Sequence, residues 1–164
     1  MRKLILFVLI VLSALGCKED KSDASVKDSD QNRFEVEKLP VRTNVNAKAK
    51  TILKDWQEFN AFNTSFDALY KVENVEDLSL VLEDLIETQK QLEESIYPES
   101  FDLPQVKSRQ KVLKTFILKT SAAVQYRINA TEPAIDMMEA YNALRNQFNI
   151  IVNNTLDINL IIDE

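Results

Sequence analysis

The sequence predicts an all-α fold: an antiparallel four-helix bundle behind a signal peptide and a flexible acidic linker. Apolar residues recur every three or four positions through four long stretches, the spacing that places them on one face of a helix. The four prolines all fall between these stretches, where a helix can be interrupted without cost. No stretch has the alternating pattern of a strand. Short links between helices of similar length favour antiparallel neighbours closed into one bundle.

The first two helices are predicted over residues 45–72 and from Asn74 onward. Polar residues with low helix propensity at positions 60–65 predict a kink in the first helix. Asn74 has a side chain suited to cap the free N–H groups of the second. The buried face of the first consists of Ala49, Ile52, Trp56, Phe59, Phe66 and Leu69. That of the second consists of Val75, Leu78, Leu82, Leu85, Leu92 and Ile96.

The third and fourth helices share a start signal, a proline in the first turn, where backbone N–H groups lack helical partners. Pro104 marks the start of the third helix and Pro133 that of the fourth. The tail, residues 156–162, is apolar enough to pack back onto the bundle or to form a short strand. The third helix is predicted to bury Val106, Leu113, Phe116, Ile117, Val124 and Ile128. The fourth is predicted to bury Ile135, Met138, Tyr141, Leu144, Phe148, Ile151 and Val152.

The chain divides into three parts: residues 1–16, a signal peptide; residues 17–43, a cysteine and a flexible linker; and residues 44–164, the helical domain. Lys, Asp, Glu and Ser dominate the linker up to position 33, so it buries too little apolar surface to offset the cost of ordering. Random-coil scaling gives the linker an end-to-end distance on the order of 30 Å. The domain would therefore stand clear of whatever surface holds its N-terminus.

Missing residue types exclude several kinds of chemistry. The chain has no histidine, which excludes Ser-His-Asp sites and imidazole metal ligation. Its only glycine, Gly16, lies in the leader, so glycine-rich phosphate loops are excluded as well. Arg2 and Lys3 would be removed with the signal peptide, which lowers the Lys+Arg count from 20 to 18 against 26 Asp+Glu. This excess of negative charge disfavours nucleic acid as a partner. We expect no catalytic residues, no metal and no cofactor.

The leader has the three regions of a secretory signal: basic residues, an unbroken apolar run at positions 4–12, and small residues before a cysteine. The apolar stretch is shorter than the roughly 20 residues that a transmembrane helix needs. Ala14-Leu15-Gly16-Cys17 resembles the bacterial lipobox, whose cysteine is acylated and becomes the new N-terminus. The resemblance implies cleavage between Gly16 and Cys17 and a membrane anchor of N-terminal acyl chains at Cys17. The alternative is an ordinary signal peptide cut near Gly16, with a periplasmic product.

Three residues after the cysteine bear on which membrane surface holds the protein. Lys18-Glu19-Asp20 resembles the surface-export signal of some Gram-negative lineages, a basic residue followed by two acidic ones. The resemblance implies an outer-membrane lipoprotein, displayed at the cell surface. The alternative is that these residues are simply part of a charged linker, which leaves the domain facing the periplasm.

Among side chains of the domain, the densest aromatic group offers the candidate binding patch. Phe62 lies off the main stripe of the first helix, so Phe59 and Phe62 could form an exposed patch, although core packing is the alternative. The third helix is the most basic segment; it could receive an acidic partner, or it could balance the acidic second helix. Met137 and Met138 are expected to fill gaps in the core.

These features together favour a non-enzymatic accessory lipoprotein that binds an unknown protein or envelope component. The competing interpretation is a periplasmic chaperone or inhibitor that holds client chains in an exposed groove. An enzyme working with two carboxylates alone ranks last, because a straight bundle offers such a pair no cleft. An exposed apolar surface would favour binding, and two convergent buried carboxylates would favour catalysis.

Overall fold

The computed structural model describes residues 34–154, and within that range it contains five α-helices and no strand. The predicted all-α class is confirmed. The signal peptide, most of the predicted linker and the apolar tail lie outside the described residues. The helices are α1 (Ala47–Leu53), α2 (Gln57–Leu69), α3 (Val75–Glu94), α4 (Pro104–Gln125) and α5 (Thr131–Asn153), with 3-10 turns at Val36–Lys38 and Glu99–Phe101.

The four longer helices pack in chain order. Close backbone contacts join α2 to α3, α3 to α4 and α4 to α5, and short links connect these helices along the chain. Aromatic rings bring α2 against α5: Phe59 meets Phe148 edge-on at 5.3 Å, and Phe66 stacks on Tyr141 at 3.8 Å between ring centroids. This arrangement fits the predicted four-helix bundle, to which α1 adds one short helix.

The predicted first helix is in fact two helices. The break between α1 and α2 lies at residues 54–56, ahead of the polar residues where a kink was expected. Thr64 and Ser65 lie within α2, and each hydroxyl donates to the backbone carbonyl four residues earlier, so neither side chain takes a backbone N–H away from the helix. Asn60 donates its side-chain amide to the carbonyl of Lys54 at 2.9 Å and so stabilises the junction. The position predicted for the kink was therefore wrong.

The predicted starts of the next three helices are confirmed. The side chain of Asn74 accepts a hydrogen bond from the N–H of Asp77 at 2.8 Å, as an N-cap does. Pro104 is the first residue of α4, and Thr131 begins α5. Helix starts were predictable because caps and prolines act on their own local backbone.

Two residues predicted for the core are instead exposed. Ile96 is 93% exposed and Ile128 is 57% exposed. The physical reason is that α3 ends at Glu94 and α4 ends at Gln125, so both isoleucines fall in links rather than on helical faces. Most other predicted stripe residues are buried or packed against the core, including Met138, and Met137 beside it is buried as well.

Candidate binding site

The structure tests only part of the predicted site. Gly16, Cys17 and Lys18-Glu19-Asp20 lie outside the described residues. Phe59 is 3% exposed and Phe62 is 0% exposed, so the candidate patch of these two rings is wrong. Both belong to the aromatic core. Phe59 contacts a ring of α5, and Phe62 meets Phe66 edge-on at 5.0 Å.

A site that the sequence did not reveal is a backbone clamp on α5. Residues 41–46 run in an irregular conformation beside this helix, and we call them the strap. Asn142 accepts a bond from the N–H of Thr43 at 2.7 Å and donates one to the carbonyl of Val41 at 3.0 Å. The oxygen and the nitrogen of one side-chain amide, that of Asn142, therefore both bond to the strap backbone.

The same pairing recurs two turns further along α5. Asn149 accepts a bond from the N–H of Asn46 at 2.8 Å and donates one to the carbonyl of Asn44 at 2.9 Å. The two asparagines are seven residues apart, which places them on the same face of the helix. All four bonds of Asn142 and Asn149 are to backbone atoms of the strap, so they do not depend on the side chains of the strap.

Between the two asparagines, Arg145 is buried without a carboxylate partner. Its Nε donates to the carbonyl of Thr43 at 2.7 Å, and its guanidinium donates to Asn63 Oδ1 at 2.6 Å and to the hydroxyl of Tyr141 at 3.2 Å. No ion pair of Arg145 occurs within residues 34–154. Three oxygens thus compensate the buried charge, as a buried guanidinium requires.

The strap also contacts the end of the α2 region. Arg42 forms an ion pair with Asp67, and the hydroxyl of Tyr70 donates to the carbonyl of Pro40 at 2.7 Å. Burial of the phenol raises the pKa of Tyr70. The strap is thus fastened on two sides, and it follows a segment that already contacts the bundle through Glu35 and Leu39.

The second candidate site is the link between α3 and the turn before α4, residues 95–98, which we call the corner loop. Ser95 is held because its hydroxyl accepts a bond from Trp56 Nε1 at 2.9 Å and donates to the carbonyl of Leu92 at 2.9 Å. The ring of Tyr97 packs on that of Trp56 with 4.9 Å between centroids. The corner loop is therefore fixed on both sides of Ile96.

Tyr97 also attaches the corner loop to α4. Its hydroxyl donates to Gln110 Oε1, and Lys107 Nζ lies 5.1 Å from the centre of its ring. Partial burial raises the pKa of Tyr97. Gln110 is 0% exposed, and its Nε2 has no hydrogen-bond partner among residues 34–154. A buried amide donor without a partner is costly, so this is a position where an acceptor would be stabilised.

Two hollows flank Ile96. The first, of ≈ 450 Å³, is lined mainly by polar groups that include Lys107, Gln110 and Lys111. The second, of ≈ 410 Å³, is lined by Ile52, Trp56 and Pro98 together with acidic Asp55 and Glu58. Ile96 and Tyr97 border both hollows. The corner loop thus presents one exposed aliphatic side chain between a polar and a more apolar recess.

Ion pairs set the charge of the first hollow. One basic residue of α4, Lys114, pairs with acidic Glu93 of α3 at 2.5 Å, whereas Lys107 pairs with Asp102 at 2.5 Å. Lys111 makes no ion pair with any residue that the structure describes. The unmatched charge of the first hollow is therefore positive, and it lies one residue from the unpartnered Gln110.

In residues 34–154 no three acidic or cysteine side chains converge in a way that could hold a metal ion. No helix in this range is both long and apolar enough to span a membrane. Both sites instead offer shaped contacts and hydrogen-bonding groups, which are the properties of binding surfaces.

Comparison with known proteins adds no family to this description. The chain matches no protein-family model, no curated protein and no solved structure.

Proposed function

We propose that this chain is a membrane-anchored lipoprotein whose helical domain is a non-enzymatic binding module of the cell envelope. The anchor is supported by the likeness of Ala14-Leu15-Gly16-Cys17 to the lipobox, with acyl chains on Cys17. Two or more chains hold a protein on a membrane stably, whereas a single chain is marginal. The likeness of Lys18-Glu19-Asp20 to a surface-export signal supports an anchor in the outer membrane, with the domain at the cell surface.

One observation carries the binding role: Ile96 is 93% exposed on a loop whose two neighbouring residues are fixed. Single exposed apolar residues are common and need no explanation by themselves. Ile96 differs because Ser95 and Tyr97 hold it in one position between two recesses. A partner would therefore gain apolar contact without a large entropic cost of ordering the loop.

The binding role is tested by photo-crosslinking in intact cells. A photoreactive amino acid replaces Ile96 in one variant and Leu80 in a control, because Leu80 is also exposed but lies on the surface of α3. We expect one crosslinked product from position 96 and none from position 80. No product at position 96 contradicts the proposal. A broad range of products from both positions would favour the competing function, a chaperone or inhibitor that holds client chains.

The anchor is tested separately by the mass of the N-terminal fragment of protein taken from membranes. We expect cleavage before Cys17 and the added mass of acyl chains, and we expect Cys17→Ser to release the protein from membranes. An unmodified N-terminus would instead make this a periplasmic domain. Protease added to intact cells should digest the domain if Lys18-Glu19-Asp20 acts as an export signal, whereas protection would place it on the periplasmic side.

A further inference from the structure

We propose that the partner seated at the corner loop is a second copy of this chain, in a two-fold symmetric dimer. The inference rests on the proposed function, because it takes Ile96 to be the contact and names what Ile96 contacts. Two observations carry it. The corner loop presents a projecting side chain beside a recess that fits one, and unmatched charges of opposite sign lie in the two hollows that flank this side chain.

The corner loop is complementary to itself in shape. Ile96 is 93% exposed, and it borders the second hollow, whose lining includes Ile52, Trp56 and Pro98. This hollow, of ≈ 410 Å³, lies within the roughly 300–1,000 Å³ of ligand pockets, so it has room for an aliphatic side chain. When two copies meet face to face, the Ile96 side chain of each enters the second hollow of the other.

The first hollow carries an unmatched positive charge. Its charged lining residues are Glu93, Asp102, Lys107 and Lys111. Lys107 pairs with Asp102, and Glu93 pairs with Lys114. Lys111 is exposed and has no ion pair within residues 34–154. A carboxylate brought to this hollow is therefore attracted by Lys111 without having to break an existing ion pair.

The second hollow carries the opposite charge. Asp55 and Glu58 line it, and neither forms an ion pair with any residue that the structure describes. Between residues 34 and 154, no basic residue contributes to this lining. The second hollow therefore attracts a cationic side chain, and Lys111 of another copy is such a group.

A two-fold axis brings these charges together. An axis that lies in the interface, perpendicular to the line between the two hollows, turns the first hollow of each copy towards the second hollow of the other. Lys111 of each copy then approaches Asp55 and Glu58 of the other, and the contact is made twice, as in any isologous interface. One surface thus supplies the projecting side chain, the recess that receives it and both charges.

Photo-crosslinking of the full chain in intact cells identifies the partner. Two copies with different epitope tags are made in the same cells, and one of them carries a photoreactive amino acid in place of Ile96. We expect a product of twice the mass of the chain that contains both tags. A single product of another mass would overturn this inference while the proposed function survives, and no product would overturn both.

Charge reversal tests the two-fold arrangement. Like charges face each other when both copies carry Lys111→Glu, or when both carry Asp55→Lys with Glu58→Lys. We expect either change to lower the yield of the doubly tagged product on the order of tenfold. Arg109→Glu is the matched control, because Arg109 is exposed on α4 but lines neither hollow, and it should leave the yield unchanged.

Mixing the two kinds of variant should restore the product. When one copy carries Lys111→Glu and the other carries Asp55→Lys with Glu58→Lys, both charged contacts are attractive again. We expect the yield to return to within about twofold of the parent, which also shows that both variants are folded. A yield that stays low after mixing, or single variants that crosslink as well as the parent, would overturn the proposal.

Discussion

Arg145 Nε donates to the carbonyl of Thr43 at 2.7 Å, across 102 positions of the chain. A charge in the last helix thereby holds the backbone of the segment that leads in from the N-terminus. If Cys17 anchors the protein, a pull from the membrane reaches first the contacts of Glu35 and Leu39 with the bundle and then this bond. The strap is thus part of the folded domain rather than part of the tether.

Arg145→Met should destabilise the domain by roughly 2–3 kcal/mol, because the carbonyl of Thr43 and Asn63 Oδ1 lose a charged donor. The measurement is the free energy of unfolding from urea denaturation. Arg109→Met is the matched control, since Arg109 is exposed on α4 and should change stability by less than about 0.5 kcal/mol. Equal stability of the two variants would show that the buried guanidinium contributes nothing net.

Asn142→Ala with Asn149→Ala should release the strap without unfolding the helices. Each change removes one pair of bonds to strap backbone, and each such bond contributes about 0.5–1.5 kcal/mol. Hydrogen exchange should accelerate at the amides of Thr43 and Asn46 while helix amides stay protected. Asn146→Ala, between them on the exposed face, is the control. Unchanged exchange at both strap amides would contradict the clamp.

Gln89→Met should stabilise the protein by about 1–2 kcal/mol. Gln89 is buried on α3, and neither its Oε1 nor its Nε2 has a hydrogen-bond partner in the part of the chain that the structure describes. A thioether of similar shape removes the cost of desolvating the amide while keeping the packing. Thermal unfolding should show a higher Tm for this variant than for the exposed control Gln91→Met. A lower Tm for Gln89→Met would mean that the amide is satisfied in solution.

Stability should fall at high pH through Tyr141. Burial raises the pKa of Tyr141 to about 12, against the partial opposing effect of Arg145. The folded state therefore favours the neutral phenol, so this stabilisation is complete below pH 10 and is lost as pH rises from 10 towards 12. The total is about 3 kcal/mol, since two pKa units correspond to that amount.

The measurement is the pH dependence of the free energy of unfolding for the parent chain and for Tyr141→Phe. The variant should lose stability less steeply over this interval, although Tyr70 and Tyr97, whose pKa values are also raised, leave part of the slope. Tyr126→Phe, at an exposed tyrosine, should retain the parent slope. Identical slopes for the parent and Tyr141→Phe would contradict a raised pKa in the folded state.

The sequence by itself determined the fold class and the starts of α3, α4 and α5. Helical spacing identifies a buried face because burial follows a period of 3.6 residues, and Asn74 and Pro104 mark starts because their effects are local. The sequence could not distinguish Phe62 from a surface residue, since its burial depends on α5 closing over α2. It also placed Ile96 in the core, because apolar periodicity cannot show that the helix ends two residues earlier.

Only the tertiary structure decided where the candidate sites lie. Asn142, Arg145 and Asn149 look like a solvated face in sequence, and they become a clamp because the strap lies against them. Gln110 and Lys111 line a hollow because the corner loop brings Tyr97 against α4. Local propensity and hydrophobic period act within one helix or loop. These sites are formed by groups that lie about 40 to more than 100 positions apart or on opposite sides of a link, and contacts between such groups leave no pattern in the local sequence.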